Sequence, residues 1–62
     1  MNNIRKFRQL QGYTLEKFAE LSNLSTGYIC HLEKGNRRNP SYKVMQNIAK
    51  ALDKKISEVF EV

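Results

Sequence analysis

The chain has 62 residues, enough for one small domain but too few for a ligand pocket enclosed between two domains. Its 11 Lys and Arg residues against 6 Asp and Glu residues give a net charge of +5, which favours an anionic partner such as nucleic acid or a membrane surface. A single cysteine excludes an internal disulfide framework, and the lack of a long apolar run or a signal-like start predicts a cytoplasmic protein.

Apolar residues in the first half of the chain recur at helical spacing. The first helix is predicted from three apolar residues on one face and a glycine suited to end it: Ile4, Phe7, Leu10 and Gly12. Thr14 is a favourable N-cap for a second helix, whose inner face is expected to carry Phe18, Ala19 and Leu21. Asn23 then suits the left-handed conformation that ends a helix.

The second half of the chain predicts further short helices. Ser25 is a favourable N-cap for the third, in which Ile29 and Leu32 face inward and after which Gly35 ends the helix. A basic loop follows, and Pro40-Ser41 opens a fourth helix with one apolar side: Tyr42, Met45, Ile48, Ala49 and Leu52. Residues 56–60 give a last helical turn. We therefore expect an all-helical bundle of four to five short helices, none stable alone in water.

Residues 14–35 are the most informative unit, because two short helices flank a tight turn at residues 22–24. A helix-turn-helix of this kind holds one helix on the surface, where it can enter a major groove. With Ile29 and Leu32 inward, Tyr28 flanks the buried side, and the residues on the opposite side or at its margin are Thr26, Gly27, Cys30, His31 and Lys34. The N–H groups after Ser25 suit a phosphate. No acid lies between Glu33 and Asp53, which favours phosphate binding by the basic residues that follow the helix.

An ordered set of residues along nearly the whole chain resembles the phage repressor and Cro type of helix-turn-helix regulators, the lambda-repressor-like fold. The set is Ile4, Phe7, Arg8, Gly12, Thr14, Glu16, Phe18-Ala19-Glu20, Leu24-Ser25, Ile29, Leu32-Glu33-Lys34-Gly35, Asn39-Pro40-Ser41, Ala49-Lys50-Ala51-Leu52 and Ile56-Ser57-Glu58-Val59-Phe60. The resemblance implies a single DNA-binding domain over residues 1–62, with the helix-turn-helix at about residues 14–33 and a reading helix at about residues 25–33.

The resemblance also implies roles for individual residues. Base-reading positions are Thr26, Gly27, Cys30 and His31, and DNA-backbone positions are Thr14, Ser25, Tyr28, Lys34, Asn36, Arg37 and Arg38. Arg8 and Glu33 match an ion pair between the first and third helices that is common in the family. The chain departs from the family pattern at Leu15, where a polar phosphate contact is usual. Gly27 and Cys30 are poor hydrogen-bonding residues, so specificity is expected to lean on DNA shape.

The implied function is a sequence-specific double-stranded DNA-binding transcriptional regulator, a repressor that acts as a homodimer on a partly palindromic operator. In this family the last helix and tail commonly form the dimer, which here gives a patch of Ile56, Val59, Phe60 and Val62. No catalysis, cofactor, metal or small-molecule ligand is expected. One histidine and one cysteine do not complete a zinc site, and nucleophilic catalysis needs a base within reach of the nucleophile.

The same residues bear on three other classes of function, namely binding to a protein, to a membrane surface or to RNA. A protein-interaction module on the same fold, such as an antitoxin-type partner or an anti-repressor, is favoured by Gly27 and Cys30 and opposed by His31, Lys34 and the arginine pair. Binding to a membrane surface would need a long basic amphipathic helix, which the sequence lacks. RNA binding would normally show an aromatic-rich platform, which is also lacking.

Overall fold

The structure is a computed structural model, and it describes residues 2–35 and 40–60. Its helices are α1 (Ile4–Leu10), α2 (Leu15–Ser22), α3 (Thr26–Glu33), α4 (Tyr42–Leu52) and α5 (Ile56–Phe60). The two described ranges contain no strand, so the predicted all-helical class is confirmed. Within the same ranges, no helix has the length and apolar character needed to cross a membrane.

Side-chain caps begin three of the helices. Thr14, Ser25 and Ser41 precede α2, α3 and α4, and each side-chain oxygen accepts a hydrogen bond from the backbone N–H three residues later, at 3.0, 3.1 and 3.3 Å. These bonds satisfy N–H groups that have no partner inside the helix. The helix starts predicted at these three residues are therefore confirmed.

The chain leaves α1, α2 and α4 through the same backbone turn. In each turn one residue is left-handed: Gly12 with φ 75°, Asn23 with φ 59° and Asp53 with φ 56°. The backbone N–H of the residue after it donates to the carbonyl of the residue five positions earlier. These bonds run from Tyr13 to Arg8, from Leu24 to Ala19 and from Lys54 to Ala49, with lengths of 2.9–3.1 Å. This is the Schellman arrangement, and it fixes the direction of the chain at each corner through backbone bonds.

All five helices contribute to one apolar core. Among the described residues, the buried apolar side chains are Ile4, Phe18, Ala19, Ile29, Leu32, Ile48, Ala49, Leu52 and Val59. Because none of these helices is long enough to be stable alone, burial of these side chains holds them together. Ile29 and Leu32 are completely buried, as predicted, so α3 is anchored to the rest of the chain through one face.

Three apolar residues that we expected in the core are exposed instead. Leu10, Leu21 and Tyr42 are 73%, 44% and 63% exposed. Each was placed in the core by three-residue spacing from another apolar residue of its helix, but three residues turn through about 300° rather than a full 360°. In α2 the inner position is taken by Ser22, whose hydroxyl donates to the carbonyl of Phe18 at 2.8 Å and is thereby satisfied in the core.

The dimer patch predicted on the last helix also needs correction at Val59. Its side chain is completely buried in the core of the monomer and is therefore not on the surface. Ile56 and Phe60 are half-buried and pack against that core with part of their surface open. Val62 lies outside the described residues. The exposed apolar surface of α5 is thus smaller than the sequence suggested.

Side-chain amides at both ends of α1 reach the carboxyl-terminal turns of three other helices. The pairs are Asn2 Nδ2 to Leu32 O in α3 at 2.8 Å, Asn3 Nδ2 to Glu58 O in α5 at 2.9 Å, and Gln11 Nε2 to Leu52 O in α4 at 2.6 Å. Carbonyl groups in the last turn of a helix have no partner within that helix. The amides flanking α1 therefore satisfy a carbonyl in each of α3, α4 and α5.

Candidate nucleic-acid interface

The two faces of α3 have different environments. Ile29 and Leu32 are completely buried, and α3 packs against α2 and α1 through this side. Thr26, Gly27 and His31 are exposed, whereas Cys30 is half-buried. We call Thr26, Gly27, Cys30 and His31 the outer face of α3. A surface partner can thus meet the outer face without disturbing the core.

Packing among the described residues does not require glycine at position 27. A Cβ built at this position meets no atom within 4 Å outside its own neighbourhood. Glycine within a helix is less favourable than alanine by about 0.5–1 kcal/mol. The fold therefore supplies no reason for glycine here, and the space around it is open to a partner that approaches the helix backbone.

Arg8 connects α1 to the last residue of α3. Its Nε and Nη2 donate to Glu33 Oε2 and Oε1 at 2.7 and 3.2 Å, and its Nη1 donates to the carbonyl of Tyr13 at 3.0 Å. The two side chains are only 13% and 8% exposed. The structure therefore places the predicted Arg8–Glu33 pair in a side-on, two-bond geometry, which fixes orientation as well as distance.

Hydroxyl groups lie at the amino-terminal ends of both helices of the motif. Thr14 and Ser25 are exposed, and their oxygens accept the capping bonds from Lys17 N and Tyr28 N. A hydroxyl that accepts through its oxygen retains its own hydrogen for donation. Each cap can therefore hold its helix and donate to a phosphate oxygen, in a region where the helix N-terminus already favours an anion.

The structure describes two of the five remaining residues that are predicted to contact the DNA backbone. Tyr28 is half-buried beside the outer face, and Lys34 is exposed just after α3. The predicted contacts Asn36, Arg37 and Arg38 lie outside the described residues. Gly35, which we expected to end α3, has φ 81° and donates its N–H to the carbonyl of Leu32 at 3.1 Å. The left-handed glycine there ends the helix as predicted.

Leu15, at which the sequence departs from the family pattern, has a role in packing. The side chain is half-buried at the first position of α2 and packs against the core. A hydrocarbon side chain cannot donate a hydrogen bond to a phosphate. Thr14, at the adjacent position, is exposed and has a hydroxyl, so of these two residues it is the one whose side chain can donate to a phosphate.

Sequence reasoning missed several polar contacts that position the helices. Asn2 and Gln11 bond to carbonyl groups 30 and 41 residues away along the chain. The ammonium group of Lys54 lies 5.1 Å from the centre of the Phe7 ring, a cation–π geometry between the turn after α4 and α1. No local pattern marks such contacts, because both partners are defined only once the helices have packed.

Metal ligation finds no support in the ranges 2–35 and 40–60. They contain no group of three histidine, cysteine, aspartate or glutamate side chains arranged to hold an ion. Cys30 is a half-buried free thiol on the outer face, next in sequence to His31.

The helix-turn-helix family model matches residues 4–59, from the first residue of α1 into α5. The chain belongs to the lambda-repressor-like helix-turn-helix family. The family predicted from the sequence is thereby confirmed. The match includes both helices of the motif and extends over the three helices around them.

Relatives of the chain within this family include transcriptional regulators of Bacillus subtilis. The chain is 29% identical over 58 residues to the helix-turn-helix-type transcriptional regulator SlrR, a match that covers 94% of this chain but 38% of SlrR. It is 42% identical over 50 residues to YazB, an uncharacterised helix-turn-helix-type transcriptional regulator, covering 81% of this chain and 71% of YazB. The chain thus spans less than half the length of SlrR.

A solved structure shows the same fold. The restriction-modification controller protein C.AhdI from Aeromonas hydrophila superposes with a TM-score of 0.84 and 34% sequence identity. The match covers 90% of this chain and 83% of C.AhdI. The helical architecture described above is therefore the family architecture.

Proposed function

We propose that the chain is a sequence-specific double-stranded DNA-binding transcriptional regulator that inserts α3 into the major groove. This proposal rests on the contrast between the two sides of α3. Ile29 and Leu32 are completely buried, whereas Thr26, Gly27 and His31 are exposed. A helix anchored on one side and open on the other has the shape that a major groove admits. Membership of a family that includes transcriptional regulators supports the same function.

Two kinds of DNA contact are assigned in this proposal. The outer face of α3 meets the edges of the bases, with His31 and Thr26 as its hydrogen-bonding side chains and Cys30 in apolar contact with a thymine methyl group. The backbone contacts are Thr14, Ser25, Tyr28, Lys34, Asn36, Arg37 and Arg38. Few side chains on the outer face carry donors, so the sequence dependence of DNA shape contributes to specificity.

A homodimer on a partly palindromic operator completes the proposed mechanism. One short helix presents only three or four side chains to the bases, so two copies are needed to read a long site. Their reading helices would occupy successive major grooves about 34–36 Å apart. The open surfaces of Ile56 and Phe60 on α5 supply an apolar contact for the second copy. Bound in this way over a promoter in the cytoplasm, the dimer represses transcription by occlusion.

Selection of bound duplexes from a random DNA pool tests this function. We expect enrichment of a sequence with two half-sites whose centres are about 10–10.5 base pairs apart. The matched control is the chain with His31→Ala and Lys34→Ala, two exposed positions where substitution leaves the core intact; it should enrich that sequence poorly. Lack of any enriched sequence at low salt, together with recovery of a tight protein partner, would replace DNA binding by a protein-interaction role.

A further inference from the structure

The carboxyl-terminal end of α3 is held by two polar contacts from the region of α1. Asn2 Nδ2 donates to the carbonyl of Leu32 at 2.8 Å, and Arg8 donates to the carboxylate of the next residue, Glu33, at 2.7 Å. The two contacts act on consecutive residues, one through the backbone and one through a side chain. Together they bind the last turn of α3 at two adjacent residues.

Directional contacts at this end of α3 add to the apolar packing, which alone restricts the angle between helices only to within about 15–20°. The side chains of Ile29 and Leu32 anchor α3 through burial, which depends on area rather than direction. Hydrogen bonds, in contrast, weaken steeply when their geometry departs from the preferred angles. The polar contacts at its last turn therefore define the tilt of α3 against α1 more closely than the burial of Ile29 and Leu32 would alone.

Asn2 is itself fixed at both ends of its side chain. Its Oδ1 accepts a hydrogen bond from the backbone N–H of Ile4 at 3.2 Å, while its Nδ2 donates to Leu32. Ile4 is completely buried at the first position of α1. The amide group is thus a short rigid link between the buried start of α1 and the end of α3.

We propose that Asn2 is a positioning residue for DNA recognition, which sets the tilt of α3 and so the register of its outer face against the bases; this inference rests on the proposed function. An eight-residue helix is about 12 Å long, so a tilt of about 5° about one end displaces the other by about 1 Å. A displacement of that size breaks hydrogen bonds to base edges. Attraction to phosphates depends less on geometry, so sequence-specific binding is affected more than non-specific binding.

The variant Asn2→Asp isolates the link to α3. The carboxylate keeps an oxygen that accepts from the N–H of Ile4, but it removes the donor to the carbonyl of Leu32. Asn3→Asp is the matched control, because it adds the same charge one residue away and removes an amide bond of the same type to α5, at Glu58 O. Differences between the two variants therefore report the contact with α3 rather than the added charge.

Both variants are measured against two duplexes at one salt concentration, namely the sequence selected by the unmodified chain and a scrambled duplex of equal composition. For Asn2→Asp we expect the ratio of specific to non-specific affinity to fall by about five- to tenfold, the equivalent of one hydrogen bond. Asn3→Asp should keep the ratio of the unmodified chain. Equal ratios for the two folded variants would overturn the proposal. Asn2→Ala replaces Asn2→Asp if the latter fails to fold by circular dichroism.

Residual dipolar couplings of the α3 and α1 amides in the DNA-free protein provide an independent readout of the tilt. We expect the angle between the two helices to change in Asn2→Ala and to stay unchanged in Asn3→Ala. An unchanged angle in Asn2→Ala would overturn the positioning role, whether or not the chain binds DNA. Failure of the unmodified chain to select any duplex would instead overturn the proposed function, so the two failures are distinguishable.

Discussion

The guanidinium group of Arg8 meets the carboxylate of Glu33 side-on, through two hydrogen bonds of 2.7 and 3.2 Å between α1 and α3. Both side chains are largely withdrawn from solvent. A third bond from the same guanidinium to the carbonyl of Tyr13 holds the loop before α2. One side chain of α1 thus fixes both the start and the end of the helix-turn-helix unit.

Removal of Arg8 alone should destabilise the fold strongly. Arg8→Met leaves the carboxylate of Glu33 with little solvent and no cation, at a cost of about 3–5 kcal/mol, out of a total stability of about 3–9 kcal/mol for a chain of this size. The double variant Arg8→Met with Glu33→Leu should recover most of that loss, since no charge is stranded. Urea denaturation followed by circular dichroism measures both. Equal stability of Arg8→Met and the unmodified chain would contradict the prediction.

Gly27→Ala should stabilise the free protein by about 0.5–1 kcal/mol and weaken its binding to DNA. The added methyl group meets no atom of the residues that the structure describes beyond its own neighbourhood, but in the proposed complex it lies between α3 and the bases. Gly12→Ala is the control, because the same substitution at φ 75° introduces backbone strain and should lower stability by about 1 kcal/mol. Thermal unfolding and DNA titration give the two readouts. Unweakened DNA binding by Gly27→Ala would show that α3 does not approach the duplex closely there.

His31→Ala should change the preference for one base pair. A lost side-chain contact to a base edge costs about 1–3 kcal/mol at the position it reads and little elsewhere. Titration of the selected duplex and its single-base-pair variants locates the effect. Lys34→Ala provides the comparison, since loss of a phosphate contact should weaken all of these duplexes alike. An equally uniform loss for His31→Ala would remove His31 from the base-reading set.

The double variant Arg37→Ala with Arg38→Ala should reduce the salt dependence of DNA binding. Each phosphate neutralised contributes about −0.9 to the slope of log affinity against log salt, so the loss of two in each copy of the proposed dimer should flatten it by about 3.6. Arg5→Ala with Lys6→Ala removes the same charge from two exposed residues of α1, and its slope should match that of the unmodified chain. An unchanged slope in the Arg37 and Arg38 variant would exclude these residues from the interface.

Phe60→Ser should shift the protein from dimer to monomer. Phe60 is half-buried on α5, and the proposed interface uses its open surface. Tyr42→Ser is the control, because Tyr42 is a 63% exposed aromatic residue at the start of α4, outside the proposed interface. Sedimentation velocity at matched concentrations distinguishes the two species, with circular dichroism to verify folding. A folded Phe60→Ser variant that remains dimeric would place the interface elsewhere.

Helix ends were predictable from the sequence because their determinants are local. Thr14 and Ser25 cap helices through bonds to residues three positions away, and Asn23 ends α2 by its own backbone conformation. The candidate reading helix followed from these ends and from two inward residues, Ile29 and Leu32. The fold class and the outward direction of α3 therefore depended on residues close to one another in the chain.

The errors arose where the side-chain environment depends on packing between distant segments. Leu21 and Ser22 are adjacent, yet the leucine is exposed and the serine is buried where α2 packs against the other helices. The serine hydroxyl is satisfied there by a carbonyl of its own helix. Val59 was expected on the surface, but the other helices enclose it. The bond from Asn2 to Leu32 O joins residues 30 positions apart and leaves no pattern in the sequence.

The left-handed turn at Asn23 separates the contacts that hold α3 from the side chains on its outer face. The corner between α2 and α3 is built from backbone bonds, and the anchor of α3 is built from Ile29 and Leu32. Neither uses the side chain of Thr26, which is exposed. The proposed recognition surface can therefore be changed at this position while the scaffold stays the same, so exchange of this side chain is a route to retargeting the proposed regulator to a new DNA sequence.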